Sequence, residues 1–123
     1  ALYAQNKAKG YTTQRTIVTH VDSRYVEKKV DVFFYHNANS REGKGLANHM
    51  YKTIKGEYDE HQRGRGYYGE VGTRNLWMLR HTATPTVFIE LGNIANDFDQ
   101  KRLLLANNRQ AIANWLAQGV VTY

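Results

Sequence analysis

Apolar residues return every three or four positions from Gly45 onward: Leu46, Ala47, Met50, Tyr51, Ile54 and Tyr58. That period predicts an amphipathic helix with one face turned to a core. Two other stretches are short, almost unbroken apolar runs, "VDVFFYH" (30–36) and "TVFIEL" (86–91). Runs of this kind read as strands buried on both faces, the form found inside parallel sheets. "TQRTIVTH" (13–20) is β-branched and alternating, and "NLWMLRH" (75–81) also reads as a strand. Helical segments are expected in "LYAQNKAKGY" with Gly10 as its stop, in "DSRYVEKK" behind Asp22 or Ser23, and in "FDQKRLLL" and "NRQAIANWLAQG". The loop "GNIAND" ends in Asn and Asp residues suited to capping the helix after it.

Alternating strands and helices predict an α/β domain with a mostly parallel sheet flanked by helices on both faces. The chain opens in the tail of a helix, with no strand before it. The expectation is therefore one domain, residues 1–123, from which the first β-α unit is absent.

Composition narrows the class. The 123 residues are 41% hydrophobic and 23% charged, ordinary for a globular domain and too apolar for disorder. No apolar run approaches the roughly 20 residues that span a bilayer. Seventeen Lys and Arg against 11 Asp and Glu leave a net charge of +6, which favours an anionic partner. The basic residues are dispersed, which argues against a nucleic-acid tail. With no cysteine, disulfides and thiolate metal sites are excluded, and a metal would be held by His and carboxylates.

Two strands end in residues capable of chemistry. "VFFYH" runs into His36, and "TVFIEL" carries Glu90 behind Val87, Phe88 and Ile89. A carboxylate there is costly to bury unless it is engaged. In open α/β sheets, ligands bind outside the carboxyl ends of strands, so both side chains are expected at one edge of the sheet. The plain alternative is a core histidine and a loop-capping glutamate. His49 and His61 read as solvent-facing, His20 as surface at a strand end, and His81 as lining without acting. No HExxH, nucleophile elbow or phosphate loop is present. The glycines of "RGRGYYGEVG" do not stand between a strand and a helix, so a binding loop or simple turn is expected there.

The stretch "TRNLWMLRHTATPTVFIELGNIANDFDQKRLL" (73–104) resembles the C-terminal signature of zinc-dependent N-acetylmuramoyl-L-alanine amidases, the Amidase_3 family, a strand reading roughly P-x-V-L-V-E-x-G-F-x-S-N. Pro85, Val87, Glu90, Gly92, Ile94 and Asn96 fall in step with it, although Asn93 stands where the family commonly has Phe. "VDVFFYHNAN" is similar to the family's A-D-x-F-V-S-I-H-x-N, with Asp31 and His36 matched. The family's Asn lies two residues past its His, where this chain has Ala38. "GLANHMYKTI" is similar to the helix that follows, and "GYTTQRTIVTHVDSR" to a G-Y-x-V-x-x-T-R stretch.

The resemblance implies a peptidoglycan amidase of the cell envelope, periplasmic or secreted, that hydrolyses the N-acetylmuramoyl–L-alanine amide in wall remodelling or lysis. It implies Zn2+ as cofactor, His36 as a zinc ligand, Glu90 as the catalytic acid/base, and Arg80 and Asn96 as substrate-binding residues. The family's other metal ligands come from a G-H-G-G-like motif and a following helix, neither of which occurs here. The chain would then be the C-terminal two-thirds of the catalytic domain, and these residues alone would hold zinc weakly. The alternatives are a catalytically inactive amidase-like module that binds cell wall or a regulator, and a basic nucleic-acid-binding domain using "RGRGYY".

Overall fold

The computed structural model describes residues 1–22 and 31–123. Its elements are α1 (Leu2–Ala8), β1 (Thr16–Asp22), β2 (Phe33–His36), α2 (Arg41–His61), β3 (Glu70–Thr73), α3 (Trp77–His81), β4 (Thr86–Asn93), α4 (Asp97–Leu104) and α5 (Ala106–Val121). The first helix stops as expected, with Gly10 at a φ of +92° that glycine adopts without steric cost. Of the stretch read as a helix over 22–29, Asp22 closes β1 and the remainder lies outside the described residues.

Four strands form one sheet in the order β1-β4-β2-β3. β1 runs parallel to β4 and β2 parallel to β3, while β2 and β4 are antiparallel. The sheet is thus mostly parallel and flanked by helices, an α/β fold as the pattern predicts.

The long helix α2 has the face its spacing predicts: Leu46, Ala47, Met50, Ile54 and Tyr58 are buried. They pack against Val32, Phe34, Val87 and Ile89. Burying each such side chain stabilises by about 1.5–3 kcal/mol. Ser40 starts the helix, its Oγ accepting the Gly43 N–H at 2.9 Å. On the outer side of α2 lies α5, where a Cβ at Gly119 would stand 3.2 Å from Met50 Cα. The close approach of the two helices therefore depends on that glycine.

The reading of residues 61–81 needs correction. Residues 75–81 do not form a strand: α3 occupies Trp77–His81, and the strand is β3, which begins within the stretch read as loop and runs one residue past it. β3 is an edge strand with no fully buried residue, so it lacks the apolar run that marked β2 and β4. A short apolar segment such as Leu76–Leu79 fits a helical turn or a strand equally well.

At the entry to β2, Asp31 takes a φ of 58°, uncommon for a residue other than glycine. It is fully buried and held from several sides. Arg65 donates to Oδ1 at 2.5 Å and the Tyr68 N–H to Oδ2 at 2.8 Å. Arg102, on α4, donates to the Asp31 carbonyl at 2.7 Å and to Asp99 Oδ1 at 2.7 Å. Asp99 in turn accepts from the Asn93 N–H at 2.8 Å. Burial opposes the charge on Arg102, but Tyr58, Asp99 and Asp31 outweigh it and raise its pKa.

Candidate active site

Glu90 lies inside β4 and is 1% exposed. Register sets it opposite Phe33 of β2 and His20 of β1. Directly opposed residues share a sheet face, and residues two apart on a strand do as well. Glu90 therefore shares its face with Phe88, Phe33, Tyr35 and His20. The face is aromatic: His20 packs against Phe88 with ring centroids 5.4 Å apart, and Phe33 meets Tyr35 edge-on at 6.1 Å. The Arg74 guanidinium lies 5.2 Å from the Tyr35 ring centroid and 6.0 Å from that of Phe88, within cation–π range. A carboxylate among such neighbours is shut off from bulk water, where polar interactions act more strongly than in solvent.

His36 does not join it. β2 and β4 are neighbours, as expected, but they are antiparallel, so their carboxyl ends point to opposite edges of the sheet. Alternation also turns His36 to the face of Phe34, opposite that of Tyr35 and Glu90. The expectation that both side chains emerge at one edge is therefore corrected. The reason is visible in the spacing. In the motif A-D-x-F-V-S-I-H the histidine follows the aspartate by an even step, whereas His36 follows Asp31 by an odd one. His36 is 4% exposed, with Nδ1 2.9 Å from the Asn37 carbonyl oxygen.

Asn37 stands at the even step and binds through its side chain: Nδ2 donates to the Leu79 carbonyl at 3.1 Å, and Oδ1 accepts the Asn39 N–H at 2.9 Å. This ties the β2–α2 loop to α3. A groove of about 450 Å³ opens there, lined by Asn37, Asn39, Thr73, Arg74, Asn75 and Arg80. Asn37, Asn39 and Arg80 also line a second groove of about 370 Å³ beside it. Arg80 is exposed, and its Nη1 donates to Asn75 Oδ1 at 2.8 Å. Asn96 is elsewhere. It caps α4, its Oδ1 accepting the Asp99 N–H at 3.1 Å.

Arg74 and Asn37 were missed in the sequence. Their signal was position, since each follows a strand at the carboxyl edge of a parallel pair. Reading β3 as loop concealed it. The "RGRGYY" loop is committed to packing: the Tyr67 hydroxyl donates to the Val32 carbonyl at 3.1 Å, and its ring stacks on Tyr58 at 5.2 Å.

Among the described residues, the group of three potential ligands whose donor atoms converge within 4.8 Å is Glu57, Glu60 and His61, near the end of α2. His61 Nε2 lies 3.1 Å from Glu57 Oε2, and its ring stacks on Trp115 at 5.9 Å. The group includes neither His36 nor Glu90.

The sequence matches the family Amidase_3, described as N-acetylmuramoyl-L-alanine amidase, over residues 4–122. No curated protein matches it. The fold is similar to that of an N-acetylmuramoyl-L-alanine amidase from Clostridium difficile 630, at 19% identity and a TM-score of 0.76, covering 100% of this chain and 62% of that one. It is also similar to AmiC2 of Nostoc punctiforme, at 17% identity and a TM-score of 0.74, covering 100% of this chain and 64% of that one. A third is the catalytic domain of CwlV from Bacillus (Paenibacillus) polymyxa var. colistinus, at 21% identity and a TM-score of 0.74, covering 100% and 65%. The chain thus spans less than two-thirds of the length of each, and at these identities the likeness is one of fold. Taken with the match along almost the whole sequence, it leads to one conclusion: the chain belongs to the Amidase_3 family of N-acetylmuramoyl-L-alanine amidases.

Proposed function

We propose that the chain acts in peptidoglycan amide hydrolysis, on the bond between the lactyl group of N-acetylmuramic acid and L-alanine, with Glu90 as the proton-transfer group. The observation that carries this reading is a carboxylate, 1% exposed, on the aromatic face of a central strand in a chain of this family. In the proposed step Glu90 takes a proton from the attacking water and returns it to the departing amine. Such a substrate places the work in the cell wall, outside the membrane. None of the described helices is long and apolar enough to cross a bilayer.

Family membership implies Zn2+, which when bound polarises a carbonyl and acidifies water. The described residues do not fit that ion as a single centre with Glu90. His36 turns to the other face of the sheet, and Glu57, Glu60 and His61 converge on a helix instead. The proposed chemistry is therefore confined to Glu90, with His36 as a separate candidate donor. The same separation favours a second reading, an amidase-like module that binds cell wall without cleaving it.

The deciding experiment is release of free L-alanine amino groups from purified peptidoglycan, with Glu90→Gln as the comparison. Turnover that falls on the order of 100-fold in the variant supports hydrolysis by Glu90. Retention on peptidoglycan with no turnover in the unaltered chain favours the binding module.

A further inference from the structure

The groove at the carboxyl edge of β2 and β3 is the least explained feature of the surface. Its lining includes two guanidinium groups, three amide side chains and a threonine hydroxyl, and no carboxylate. Among the described residues neither Arg74 nor Arg80 forms an ion pair. Two exposed cations beside neutral donors form a surface complementary to an anion with several acceptor atoms, and the planar guanidinium suits a carboxylate. Each arginine is pre-oriented, Arg74 by the Tyr35 and Phe88 rings and Arg80 by Asn75. Asn37 is fixed by its bonds to Leu79 and Asn39. Holding these side chains in place lowers the entropy cost of closing on a ligand.

We propose that this groove binds the carboxylate of an acidic peptide, with Arg74 and Arg80 as the charged contacts. The position of Glu90 sets the reach. Glu90 is level with Phe33, and Asn37 lies four residues further along β2, or about 13 Å at strand rise. Extended peptide advances about 3.3–3.6 Å per residue. A carboxylate in the groove therefore sits about three to four residues from an amide held at Glu90. The amidase reading supplies only the identity of that peptide, a wall stem peptide. The groove's preference for a carboxylate stands apart from it.

The test uses the full chain and the peptide acetyl-L-Ala-D-Gln-L-Lys-D-Ala, prepared with its terminal carboxylate free and with it amidated. Binding is measured by calorimetry at low and at physiological salt. The free acid is expected to bind at least about tenfold more tightly than the amide, the equivalent of one charge-assisted contact. Arg74→Gln combined with Arg80→Gln should remove that preference, while Lys52→Gln, an exposed charge on α2, should leave it intact. Both arginines are exposed, so the double variant is expected to keep the wild-type circular dichroism and melting temperature. Equal affinity for acid and amide, no binding of the acid, or a preference that survives the double variant overturns the proposal. The peptide has no muramoyl amide, so loss of hydrolysis in Glu90→Gln leaves this result untouched. Carboxylate binding without hydrolysis would retain the groove and remove the amidase reading.

Discussion

Arg102 reaches from α4 across to Asp31, at the entry to β2, donating to its carbonyl while pairing with Asp99 three residues back on its own helix. Contacts between residues 71 apart in sequence thus lock the fourth helix to the second strand. Removing one member of a buried ion pair leaves the other charge stranded. Arg102→Ala is expected to destabilise the fold by about 3–5 kcal/mol, read as a shift in the denaturant midpoint. Arg102→Met combined with Asp99→Leu should cost less than the sum of the two single changes, because the stranded charge is then absent.

Alkaline pH tests the neighbouring tyrosines. Burial, with smaller effects from Tyr58 and Asp31, pushes the Tyr67 hydroxyl well above its ordinary value of 10.0, and burial raises Tyr58 as well. A folded-state pKa above the unfolded one means that this stability is complete below about pH 10 and is lost as pH rises beyond it. Tyrosinate absorbance should show these two groups ionising only as the fold opens. Tyr67→Phe should lower stability at neutral pH by about 1 kcal/mol through the lost bond to the Val32 carbonyl, and should flatten the alkaline decline. An unchanged alkaline slope in this variant would remove Tyr67 as its source.

His36→Ala separates a structural role from metal binding. With its side chain on the Phe34 face and only 4% exposed, truncation should destabilise the fold by about 1–3 kcal/mol. Zinc affinity, followed by titration of the same variant, should stay within about twofold of the unaltered chain if His36 is structural. A fall of about 10-fold or more would make His36 a ligand despite its separation from Glu90.

Ser40→Ala should cost about 1 kcal/mol, the usual loss when a helix N-cap hydroxyl is removed. Ser40→Asp should recover most of it, since a carboxylate accepts the same bond and favours the positive helix end. Thermal unfolding of the pair checks both.

How legible each feature was in the sequence depended on its range. α2 and β4 declared themselves because their burial is periodic or continuous within one short window. β3 did not, because an edge strand with Gly72 and half-exposed neighbours carries no such pattern. Glu90 stood out as a charge inside an apolar run. Which face it shares with which neighbour depended on the antiparallel pairing of β2 with β4, a long-range choice that no local spacing encodes. The contacts of Asp31 with Asp99 and Arg102 were hidden for the same reason, being 68 and 71 residues apart.

The strand order carries a consequence for how the chain assembles. Of the described strands β4 is the last in sequence, yet it lies between β1 and β2 and pairs with both. Until residues 86–93 emerge from the ribosome, β1 lacks β4, its partner among the described strands, while β2, α2 and β3 already form a contiguous parallel β-α-β unit. Among the described strands, β1 therefore waits for its partner across a gap of more than 60 residues. Closing a sheet across that separation is slow, so arrival of β4 should be the event that commits the chain to its fold.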